Sequence, residues 1–135
     1  MKAFEKYKNA QAYTSNSSHQ LIFIFDELLK LLFTAQKALK EEDYETKFKA
    51  LAKAIEVFYI LKSGVEIDNP DESTKAIDMF YGATIVRLEN INMTISSPPE
   101  DLVLMIDSIG EVRQALAQSI APEKEEKKES YITSN

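Results

Sequence analysis

LIFIFDELLKLLFTAQKAL, residues 21–39, reads as a helix that must be covered on more than one side. Every position except Asp26, Glu27, Lys30, Thr34, Gln36 and Lys37 is apolar, in a chain that is 44% apolar as a whole. Wound at about 100° per residue, all of those polar groups but Gln36 fall in one narrow stripe. The apolar arc is wider than the face of an ordinary surface helix. Such a helix belongs at the hub of a small helical bundle.

The flanking sequence supplies its partners. Ser17 and Gln20 form a capping box that opens helix 1. The acidic run Glu41-Glu42-Asp43 ends its apolar period, and Asp43 is suited to cap helix 2. Helix 2 presents Tyr44, Phe48, Leu51, Ile55, Phe58 and Tyr59 at helical spacing, with Gly64 placed to terminate it. Asn69-Pro70 is expected to cap and start helix 3, whose face runs from Ile77 through Tyr81, Ile85, Leu88 and Ile91 to Ile95. Gly82 in the middle of that helix suggests a close crossing. Ser97-Pro98-Pro99-Glu100 is a second capping box. Helix 4 follows, with Leu102, Met105, Ile109, Leu116 and Ile120 on its face, and Pro122 is expected to stop it.

Four amphipathic helices with short links give an all-α, antiparallel up-down-up-down four-helix bundle. Residues 1–16 are expected to be a flexible arm, residues 17–121 the bundle, and residues 122–135, too poor in apolar groups to fold, a disordered tail.

Composition narrows the function. At 135 residues the chain suits one domain, and three Gly and four Pro leave little turn material for an all-β fold. The net charge of -6, with both signs interspersed, gives no footprint for nucleic acid. Asp26, Glu27 and Lys30 interrupt the most apolar run, which argues against membrane insertion, and no signal-peptide core opens the chain. Absence of cysteine removes thiolate metal sites and suits a cytoplasmic setting.

Catalytic groups are sparse. His19, the one histidine, lies in the first turn of helix 1 and lacks the neighbours of a phosphotransfer site. One histidine cannot supply the paired Glu-x-x-His motifs of a di-iron bundle. The carboxylate clusters fall on a polar stripe and in a turn, where solvated charge accounts for them. No catalytic residue, metal ligand or cofactor site is expected.

The informative surplus is apolar. Met79, Val86 and Met93 recur every seven residues on helix 3, well away from its core face. Phe23 lies within the polar stripe of helix 1, Ile60 among the charges of helix 2, and Leu104 opposite the core face of helix 4. The stripe on helix 3 admits two readings, burial on a second side or a groove for a helical client. Thioether side chains suit varied apolar partners. The arm, with Tyr7 and Tyr13, can cover such a groove when no client is present. Outside client binding, the rival readings are a metal or phosphotransfer bundle and a self-associating bundle that pairs through the same stripe.

Taken in order, these landmarks resemble the FliS family of flagellar secretion chaperones. The resemblance rests on Tyr7 through Ser17, the apolar run from Leu21 into Asp26-Glu27, Ala35-Gln36-Lys37-Ala38, Asp43-Tyr44, Phe80-Tyr81, Val86-Arg87-Leu88 and Glu111-Val112-Arg113. Ser17 and Glu27 depart from the family's Pro and Gly, and the family's Gly-Gly link and closing Trp are missing. The resemblance implies a cytoplasmic, non-enzymatic chaperone. Its partners would be the disordered C-terminal segment of flagellin, held in apolar grooves before export, and components of the export apparatus. A FliS-like adaptor or co-chaperone for another helical client is the alternative.

Overall fold

The computed structural model describes residues 18–65 and 68–133, with side chains as far as residue 119. Among the described residues the elements are α1 (Ser18–Lys40), α2 (Tyr44–Ser63), α3 (Glu72–Met93) and α4 (Pro99–Thr133). The expected all-α four-helix bundle is the observed one.

Helix α1 is its hub, sharing broad seams with α2 and with α4, while α2 packs on α3. The α3–α4 seam is much narrower. Leu21, Phe25, Leu28, Leu32 and Ala35 of α1 are buried, and Ile22, Ile24, Leu29 and Leu31 pack half-buried on either flank. The wide apolar arc is thus spent on two neighbours at once. The core continues through Leu51, Phe58, Tyr81, Leu88, Leu102 and Ile109, and the Phe58 and Tyr81 rings meet tilted at 6.1 Å. Burying each such side chain contributes about 1.5–3 kcal/mol, which is what holds four marginal helices together.

The link from α1 to α2 is tight. The backbone N–H of Asp43 donates to Ala38 O at 2.8 Å, and Glu42 takes the left-handed conformation (φ 57°) that closes α1. Asp43 then caps α2, accepting from Thr46 N at 3.2 Å and Thr46 Oγ1 at 2.6 Å. So short a link forces antiparallel neighbours. Lys47 beside Ile91, and Lys62 beside Asp78, show that α2 and α3 are antiparallel too.

Several expected boundaries move. Asp71, not Asn69, caps α3, accepting from Thr74 N at 2.7 Å, and Asn69 is instead a left-handed link residue (φ 54°). Ser97 does not cap α4. Its single hydroxyl hydrogen points back to the end of α3, to Ile91 O at 2.8 Å with Thr94 O also within reach at 3.2 Å, helping to satisfy the carbonyls that α3 leaves open there. Pro99 takes the first position of α4 as its fixed φ favours. The backbone of α4 does not stop at Pro122 but runs helical to Thr133. An interior proline costs about 3 kcal/mol, set here against a Glu/Lys-rich run of good helix formers.

Gly82 marks no close crossing: a methyl added there would meet only Lys62 Cε, at an ordinary 3.5 Å. Phe48, Tyr59 and Ile95, assigned to core faces from the sequence, are exposed. The first two lie on the flank of α2 beyond its buried arc, and Ile95 follows the end of α3. Ser17, with the arm that carries Tyr7 and Tyr13, lies outside the described residues, as does the side chain of Ile120.

Candidate functional site: an exposed apolar seam on α3

The stripe on α3 faces outward. Met79 is 72% exposed, Val86 57% and Met93 81%. Ala83 and Asn90, which fall between them, are exposed as well. Met79, Ala83, Val86, Asn90 and Met93 therefore follow the alternating four- and three-residue spacing by which one helix docks along another. Fourteen residues separate the two methionines, or roughly 21 Å at about 1.5 Å per residue.

The seam widens across α2. Asn92 Nδ2 donates to Phe48 O at 3.4 Å, and Tyr59 Oη donates to Glu89 at 3.2 Å. These bonds bring the Phe48 backbone to Asn92 and the Tyr59 hydroxyl to Glu89, level with the Val86–Met93 half of α3, and both aromatic side chains are exposed. The Glu89 carboxylate beside it raises the Tyr59 phenol above its usual pKa, so that hydroxyl stays a donor. At the Met79 end Lys62 pairs with Asp78 at 2.7 Å, closing the α2–α3 seam with charge.

One buried cation fixes the Met93 end. Lys47 is among the largest enclosed side chains, and its ammonium donates to Thr94 O at 2.6 Å, Ile91 O at 2.7 Å and Asn92 O at 3.4 Å. These carbonyls are the ones a helix C-terminus leaves without partners, and a cation there also meets the negative end of the helix dipole. Burial holds the Lys47 pKa below its ordinary value. Together Lys47 and Ser97 anchor the last turn of α3, where Met93 sits.

The other residues singled out from the sequence are exposed but scattered. Phe23 lies on α1, Ile60 on α2 and Leu104 on α4, each on a different helix from the Met79 stripe. Sequence reading missed Phe48 and Tyr59, together with Phe33 and Val103, which are also exposed. A signal for the first pair was present: Phe48, Ala52 and Tyr59 recur four and seven residues apart on one flank of α2. Among the described residues no acidic or histidine cluster could hold a metal, and no helix is long and apolar enough to cross a membrane.

A family model described as flagellar protein FliS matches residues 1–124. The chain belongs to the FliS family. It is a flagellar chaperone family rather than an enzyme family. No curated protein matches the chain closely. The FliS landmarks quoted above now acquire physical reasons. Asp26 and Arg113, far apart in sequence, meet across the α1–α4 seam: the guanidinium donates to both carboxylate oxygens, at 2.8 and 3.3 Å. That two-bond geometry orients α4 on α1, and it holds the Arg113 pKa above its ordinary value. Within Phe80-Tyr81 the tyrosine is core, and Asp43 of Asp43-Tyr44 is the cap of α2. In Val86-Arg87-Leu88 the leucine is enclosed while Val86 faces out, so one FliS landmark carries both the core and the seam.

Proposed function

We propose that this protein is a cytoplasmic export chaperone that binds the disordered C-terminal segment of flagellin and prevents its polymerisation before secretion. The observation that carries the reading is the outward-facing seam of Met79, Val86 and Met93 in a member of a flagellar chaperone family. An amphipathic segment laid on that seam folds as it binds, which costs affinity per unit area but lets a short bundle cover a long client. Phe48 and Tyr59 extend the same surface, while Phe23, Ile60 and Leu104 offer separate contacts for a client that wraps the bundle.

Tyr7 and Tyr13 are assigned the part of a displaceable cover for the groove, and residues 17–121 that of the binding unit. Components of the export apparatus are the expected second class of partner. Glu27, where the family carries Gly, lies exposed on α1 and favours the second reading, an adaptor or co-chaperone for a different helical client.

The test is titration of a labelled flagellin C-terminal peptide. The triple variant Met79→Asp, Val86→Asp, Met93→Asp should keep native helicity and lose binding, because each exposed apolar contact is replaced by a hydrated charge. Unchanged affinity in the folded variant refutes the seam as the client site. Metal analysis together with His19→Ala separates the metal or phosphotransfer bundle class: no bound metal and no loss of function in that variant would close it.

A further inference from the structure

Of the four methionines in the chain, the three with described side chains divide sharply. Among the described residues Met79 and Met93 are the most exposed large apolar side chains, and Met105 in the core is 3% exposed. The exposed pair marks the two ends of the α3 seam, with Val86, which has no oxidisable atom, midway between them. The chain has no cysteine, so no thiol of its own competes for an oxidant. The most readily oxidised sulfur atoms described therefore lie on the surface assigned to the client.

We propose that Met79 and Met93 form a modification site for peroxide, whose oxidation reversibly switches off the seam. The proposal rests on the client-binding reading above. In the forward step the thioether sulfur attacks one peroxide oxygen. An S–O bond forms as the O–O bond breaks, sulfur gives up two electrons, and the second oxygen leaves as water with both hydrogens. In the reverse step a dithiol, acting through methionine sulfoxide reductases, supplies two electrons and two protons. The sulfoxide oxygen leaves as water and the dithiol becomes a disulfide.

The consequence follows from solvation. A sulfoxide on exposed helix surface is hydrated at no cost to the fold, so the bundle tolerates the change. Under a docked apolar helix the same S=O group loses water and gains no donor, so the change acts on binding. Oxidation of buried Met105 would instead disrupt the core, and its enclosure protects it.

Dilute hydrogen peroxide, peptide mapping by mass spectrometry, circular dichroism and titration with the flagellin C-terminal peptide test this together. Met79 and Met93 should each gain one oxygen well before Met105, with helicity unchanged. Peptide affinity should fall about tenfold or more, the scale of losing one buried methionine contact, and recover after treatment with both sulfoxide reductases and a dithiol. The Met79→Leu, Met93→Leu variant, which has no sulfur at either end of the seam, should keep its own starting affinity after peroxide treatment. Equal oxidation of Met105, or full affinity retained with both sites converted, overturns the switch. If the untreated protein does not bind the peptide, the client reading itself fails and the switch falls with it.

Discussion

Lys47→Met removes the buried cation while keeping a side chain of similar length and apolar stem, so its effect isolates the bonds to the end of α3. Two of those bonds are short, to Ile91 O at 2.7 Å and Thr94 O at 2.6 Å, and the third, to Asn92 O at 3.4 Å, is weak. A hydrogen bond from a charged donor contributes about 1.5–3 kcal/mol, so the short pair is worth about 3–6 kcal/mol gross. Desolvation of the ammonium, the cause of its lowered pKa, offsets part of that. Ser97 Oγ, with one hydrogen to give, still donates to Ile91 O at 2.8 Å, so that carbonyl is not left bare. The net loss is about 2–3 kcal/mol. Urea unfolding followed by circular dichroism checks it: with a slope near 1–2 kcal/mol/M for a chain of this size, the midpoint should fall by about 1–3 M. Lys53→Met, an exposed lysine on the same helix, should change stability by about 0.5 kcal/mol or less. A Lys47→Met midpoint within about 0.3 M of the parent, at unchanged slope, would refute the idea that this cation secures the α3 terminus.

Gly82→Ala should stabilise the protein by about 0.5–1 kcal/mol, since the new methyl meets only Lys62 Cε at 3.5 Å and the helix gains propensity. A loss of stability in thermal unfolding would mean that α3 and α2 approach more closely there than the 3.5 Å contact allows. Asp43 and Asp71 supply a pH signature. Hydrogen bonds from Thr46 and Thr74 respectively hold each carboxyl below its ordinary 3.8. Above 3.8 both groups are ionised in folded and unfolded chains, and their contribution is fully present. As pH falls from 3.8 through the lower folded values, the unfolded chain takes up protons first and that contribution is lost. Asparagine caps helices as well but does not titrate. Asp43→Asn, Asp71→Asn should therefore unfold with a flatter acid dependence over that window, and an identical acid profile would contradict the capping assignment.

Helix existence and type were legible in the sequence because periodicity is a local property. The arc of residues 21–39 required burial on two flanks, and Asp43 announced the start of α2 from a capping residue beside an apolar period. The outward face of Met79, Val86 and Met93 was readable as a stripe off the main period. Whether it was covered was not readable, because burial depends on which helices become neighbours, and a wheel carries no record of neighbours. Only the packing order, with α3 broadly against α2 and narrowly against α4, left the stripe open. The same non-local cause explains what was missed. Phe48 and Tyr59 fall within an apolar period that looks like core on a wheel, yet α3 docks on α2 so that they stay outside. Lys47 gave no local sign of burial, because its partners are backbone carbonyls at the end of α3, 44 positions or more along the chain. Sequence alone set the helices and their faces. Tertiary structure chose which faces met, because apolar burial rewards any covered area and is indifferent to which helix covers it.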